Sequence, residues 1–143
     1  MALPLRWRRR KTTDLRFLGL ARKAGRVEIG EEAVRGAAKA GKARLILTAE
    51  DSSPNALKRA EESAAIGNVP LVKLHCTKAE MGQAVGKDGP SMLAVTDAGF
   101  ALGMVKKLAA ASPEEYGSLP EELSMRDRKT RRARTFGPGG EKK

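Results

Sequence analysis

Residues 30–51 read GEEAVRGAAKAGKARLILTAED. Gly30 is followed at once by Glu31 and Glu32, and acidic side chains suit the positive end of a helix with its free backbone N–H groups. Val34, Ala37 and Ala38 then share one helical face, and the helix is expected to end before Gly41. After the basic turn at Lys42 and Arg44, residues 45–48 form an unbroken apolar run, the pattern of a strand covered on both faces by helices. Glu50 and Asp51 close the block.

The same grammar continues in both directions. Downstream, Ser53 and Pro54 give a cap and a first-turn proline, opening a helix through Leu57, Ala60 and Ala64 to Gly67. Short apolar strands are expected over 70–74 and 92–96. Thr77 and Glu80 have capping-box spacing for a helix over 78–85, and Asp97 caps a last helix carrying Phe100, Met104 and Leu108. Upstream, Thr13 or Asp14 caps a helix through Leu15, Leu18 and Leu20 toward Gly25, and residues 27–29 make a short strand. Alternation of five helices with four strands predicts one α/β domain, a sheet between two helix layers, over residues 14–110.

The flanks differ in kind. The first thirteen residues hold Arg6, Arg8, Arg9, Arg10 and Lys11 with no acid, which marks 1–13 as a basic arm. From Ala111 the periodicity gives way to Pro113, Gly117, Pro120 and glutamates, then MRDRKTRRAR and TFGPGGEKK. Glu121 and Glu122 open at most one helical turn, so 111–143 is expected to be a flexible basic tail that buries no core. More than half of the formal net charge of +11 lies in these flanks, and the sequence pI is about 10.2. Such a balance points to a polyanion, with nucleic acid the usual one.

Several function classes are disfavoured. Trp7, Phe17, Phe100, Tyr116 and Phe136 are scattered, which argues against a base-stacking platform. Cys76 is the sole cysteine, so no internal disulfide forms and a reducing compartment is implied. No apolar stretch approaches the roughly twenty residues of a membrane span, and 15–24 is broken by Arg22 and Lys23 without a signal-peptide cleavage site. A cytoplasmic protein without membrane attachment is expected. His75 and Cys76 are adjacent, which on a strand sends them to opposite faces, and two such ligands are too few for zinc. Residues 86–89 lack the spacing of a phosphate loop. Glu50 and Asp51 read as loop chemistry rather than as a catalytic pair. The expectation is a non-enzyme without cofactor or metal.

Three blocks carry a resemblance: LGLARKAGRVEIGEEAV, AGKARLILTAEDSSPNALKRAEE and NVPLVKLHCTKAEMGQAVGKDGPSMLAVTDAGFA. In this order, over about residues 15–108, the chain resembles the kink-turn-binding ribosomal-protein superfamily, especially its short bacterial YlxQ-type branch. The resemblance implies a three-layer α/β/α sandwich around a four-stranded mixed sheet. It also implies non-enzymatic binding of structured RNA, ribosomal RNA above all, by a monomer associated with ribosomal or transcription-machinery proteins. In the family two segments grip RNA side by side: the first helical turn after a glycine, here Gly30, and the loop before the last strand, here Gly86 to Ser91 with Lys87, Asp88, Gly89, Pro90 and Ser91 as its contact residues. Helix amides take phosphate while first-turn side chains read the guanine edges of sheared G·A pairs.

The chain departs from that pattern at the reading positions. Archaeal and eukaryotic members have Asn-Glu and, three residues on, Lys; here Glu32, Ala33 and Gly36 stand there. Arg35 and Lys39 are candidates to replace the lost charge, and Lys42 and Lys78 to meet backbone phosphate. Glu31 and Glu32 would repel phosphate unless they face base donors. The alternative reading is therefore a protein-interaction adaptor on the same fold, presenting a smooth acidic helix turn in place of an RNA reader.

Overall fold

The computed structural model describes residues 12–125. The basic clusters Arg6 to Lys11 and Arg126 to Arg134 lie outside them. In chain order the elements are α1 (Arg16–Lys23), β1 (Val27–Ile29), α2 (Glu31–Lys39), β2 (Leu45–Thr48) and α3 (Pro54–Gly67), followed by β3 (Leu71–Lys73), α4 (Lys78–Val85), β4 (Met92–Val95), α5 (Ala98–Ala111) and α6 (Pro113–Tyr116). The strands form one sheet in the order β1-β4-β2-β3. β4 runs antiparallel to both β1 and β2, with Thr48 opposite Met92 and Leu45 opposite Val95, whereas β2 and β3 are parallel.

Apolar runs are explained by burial on both sides of this mixed sheet. Leu45, Leu47, Leu93 and Val95 pack with Leu18 of α1, Met81 of α4 and Met104, Val105 and Leu108 of α5. The intervening residues Ile46, Met92 and Ala94 face the other way, onto Val34 and Ala37 of α2 and Ala60 and Ala64 of α3. Period-two alternation thus distributes one continuous apolar string between two cores. The three-layer α/β/α sandwich is the observed architecture.

Three caps act as their residue types dictate. Ser53 accepts from the Ala56 amide at 3.1 Å, and Asp97 from the Phe100 amide at 2.9 Å. Thr77 and Glu80 close the full reciprocal box at 3.1 and 2.8 Å. At α1 the outcome differs. Leu15 occupies the cap position, and Asp14 instead accepts from the Arg16 guanidinium and, secondarily, the Arg16 amide, which hold its carboxyl down to about 2. Thr13 is drawn away to the end of β3: its amide donates to the His75 carbonyl and its hydroxyl accepts from the His75 amide, both at 2.9 Å.

α3 ends at Gly67 as its sequence dictates: a Cβ on that glycine would stand 3.3 Å from Ala38, and Asn68 takes the left-handed cap position at φ 52°. One further expectation is corrected: the segment after Ala111 buries apolar surface, as far as Leu123. Tyr116 and Leu123 join the main core, and residues 119–125 are helical. The Tyr116 hydroxyl donates to the Lys73 carbonyl at 2.7 Å, and Glu115 Oε1 lies 2.7 Å from His75 Nε2. These long-range contacts, absent from any local pattern, hold a segment that proline and glycine break into short pieces.

Candidate nucleic-acid interface

The first turn of α2 is built on a backbone that only glycine readily adopts. Gly30 has φ 94° and ψ 162°, a region closed to residues with a Cβ. Its amide donates to the Met92 carbonyl at 3.1 Å, and its carbonyl accepts from Val34 at 2.9 Å. Having no side chain, Gly30 leaves the first-turn amides without a side-chain cap. The helix therefore presents donors and the positive end of its dipole beside the exposed Glu31 and Glu32.

The loop over residues 86–91 arrives at the same end of the sheet, because it runs directly into Met92. Gly86 leaves α4 at φ 71°, and the amides of Gly86 and Lys87 both donate to the Gly82 carbonyl. The loop then folds back over α4 so closely that a Cβ on Gly82 would collide with the Lys87 carbonyl and lie 2.8 Å from the Gly89 amide nitrogen. Lys87, Asp88 and Gly89 are exposed, Ser91 is half-buried and Pro90 is buried. The Ser91 carbonyl accepts from Ser52 Oγ at 2.9 Å and from the Ala49 amide at 3.2 Å. A third segment, 49–53, is thereby joined to the other two.

Not every candidate falls on this surface. Lys78 does: its amide donates to Asp51 Oδ1 at 2.8 Å, and its Cβ lies 3.8 Å from where a Gly89 Cβ would stand. Arg35 is exposed one turn along α2 from Glu31, and Gly36 opens onto empty space. Lys39 and Lys42 belong to the opposite end of α2, toward the Leu45 end of β2, with Lys39 about 12 Å along the axis from Glu31. His75 pairs with Glu115 and Cys76 is buried in the core.

One residue missed in the sequence changes the electrostatics. Arg59 of α3 meets the Glu31 carboxylate through Nε at 3.1 Å and Nη1 at 3.2 Å. Repulsion of phosphate by Glu31 is thus offset by an adjacent guanidinium. No local signal links positions 28 apart; helical spacing shows only that Arg59 avoids the buried face carrying Ala60 and Ala64. Gly82 was equally silent, since a helical glycine declares its reason only when the close approach is seen.

This geometry can be set beside known proteins. Residues 15–104 match the family described as ribosomal protein L7Ae/L30e/S12e/Gadd45. The chain belongs to this family. Among L7Ae-family relatives, the RNA-binding protein YlxQ of Bacillus subtilis (strain 168) is 35% identical over 92 residues, covering 64% of this chain and 91% of that protein. The large ribosomal subunit protein eL30 of Aeropyrum pernix is 36% identical over 64 residues, 44% of this chain and 64% of the relative. A solved Bacillus halodurans protein of unknown function superposes with TM-score 0.58 at 30% identity, covering 70% of this chain and 96% of its own. The Giardia lamblia 15.5kD RNA binding protein shares the fold with TM-score 0.57 at 17% identity, over 68% of this chain and 85% of its own.

Proposed function

We propose that this L7Ae-family protein binds structured RNA without catalysing a reaction, through the surface shared by the first turn of α2 and the loop over 86–91. The observation that carries the reading is the hydrogen bond from the Gly30 amide to the Met92 carbonyl, which locks the uncapped helix turn beside the loop. Phosphate suits the amides, and the carboxylate of exposed Glu32 is an acceptor for base donors. The names of the Bacillus subtilis and Giardia proteins support RNA as the ligand class. The eL30 similarity favours ribosomal RNA, and the reading extends to ribosomal or transcription-machinery proteins as neighbours and to the cytoplasm as the compartment. Within this surface we assign Gly30, Glu31, Glu32, Ala33, Arg35, Gly36, Lys78, Lys87, Asp88, Gly89, Pro90 and Ser91 to the RNA contact.

Ala33 and Gly36 favour a second reading, a protein-interaction adaptor, because neither supplies a base-reading group. Full-length protein and its Lys87→Ala, Arg35→Ala double variant, titrated with a stem-loop RNA carrying tandem sheared G·A pairs, separate the two. RNA binding by the core predicts a clear loss of affinity in the double variant. Unchanged affinity assigns RNA binding to the arms and supports the adaptor. If kink-turn geometry persists, Ala33→Glu with Gly36→Lys raises affinity for the sheared-pair stem over a fully paired one.

A further inference from the structure

Resting on the RNA-binding reading, we propose that Arg59 supplies the interface with the phosphate-contacting cation that α2 itself lacks at Gly36. The helices α2 and α3 run side by side in the same direction: Glu31 meets Arg59 toward one end, and Ala38 meets Gly67 toward the other. Both helices therefore point their N-terminal ends at the sheet end where residues 49–53 and 86–91 are joined. Arg59 lies about 9 Å along α3 from its Ser53 cap, within reach of the first turn of α2.

The pairing geometry leaves most of the guanidinium available. Glu31 engages Nε and Nη1, whereas a guanidinium carries five N–H donors in a planar fork. Among the described residues, the remaining donors meet no acceptor. The Arg59 side chain is 56% exposed and that of Glu31 is 44% exposed. An ion pair this open to water adds little to stability, so holding α3 against α2 does not account for it. What the pair does is fix the fork's direction beside the amides of α2, an arrangement that matches the bidentate demands of a phosphate. It also cancels one of two adjacent negative charges where the RNA backbone would arrive.

The test uses full-length protein, the sheared G·A stem-loop as probe, and a salt series. Arg59→Ala is expected to reduce the slope of log K against log salt by about 0.7 to 0.9 and to weaken binding roughly tenfold at low salt. Arg59→Lys keeps the slope while losing part of the affinity, because charge is retained and the fork is not. Glu31→Gln keeps an acceptor for Arg59, removes a negative charge and raises affinity. An Arg59→Ala protein that binds with the parent's slope and affinity overturns the assignment and leaves the RNA-binding reading standing. Equal loss of slope in Arg59→Lys overturns it as well, since a charge effect cannot vanish with the charge present. A parent protein that does not bind the stem-loop overturns both. Thermal midpoints within a few degrees of the parent in every variant exclude unfolding as the cause.

Discussion

A methyl group at Gly82 and a methyl group at Gly36 have opposite consequences, although both positions are helical. At Gly82 the new atom meets the Lys87 carbonyl and the Gly89 amide, backbone that cannot move unless the loop over 86–91 lifts from α4. Gly82→Ala is expected to cost about 1 to 3 kcal/mol, as overpacked sites do, and to weaken RNA binding more than its loss of stability explains. Thermal denaturation and an RNA titration on the same preparation check both parts. Gly36 faces open space without a left-handed backbone, so Gly36→Ala should stabilise α2 by roughly 0.5 to 1 kcal/mol. A fall in thermal midpoint for Gly36→Ala would show that this position packs against something.

Among the elements, the attachment of α6 is open to direct measurement, because Tyr116 is the chain's one tyrosine. Burial first, and then the neighbouring Glu115 carboxylate, push its phenol well above the ordinary value of 10.0. The neutral form is favoured in the folded chain, so the contribution of this contact is complete below about pH 10 and is lost as pH rises through the elevated folded value. Tyrosinate absorbance should therefore appear later in folded protein than in denaturant. Coincident titrations would mean that α6 is not docked in solution. Loss of the capping box by Thr77→Ala should cost about 1 kcal/mol, read from chemical denaturation.

The difference between these two elements shows what a sequence discloses. Caps and doubly buried strands write their requirements into neighbouring residues, so Thr77, Glu80 and the runs at 45–48 and 92–95 were legible. The glycine and loop that frame the interface were legible only through the family resemblance. Tyr116 and Arg59 act on partners tens of residues away and Gly82 on the loop that folds back over its own helix, and no local period records any of them. The shortening of the expected 70–74 strand to Leu71–Lys73 has the same origin, since pairing with β2 sets the limits.

At the scale of the whole molecule, the surplus positive charge and the specific surface are separable. The basic clusters at Arg6 to Lys11 and Arg126 to Arg134 should steepen the salt dependence of binding to any RNA, whereas any preference for a particular RNA is expected to reside in the proposed interface at the sheet end. Replacing the arginines of both clusters by alanine is expected to flatten the salt dependence and lower affinity for all RNAs alike. The ratio between the sheared-pair stem-loop and its fully paired control should survive. A ratio falling to one would place discrimination in the flanking segments.

The hydrogen bonds from Tyr116 to Lys73 and between Thr13 and His75 have a further effect. They occupy main-chain groups along the outer margin of β3 that would otherwise template another strand. A cationic protein gathered on a polyanion reaches high local concentration, the condition under which an open ladder recruits its neighbours and grows into fibrils. With the C-terminal part of that margin already taken, crowding on the polymer is expected to add copies side by side rather than extend the sheet from this flank.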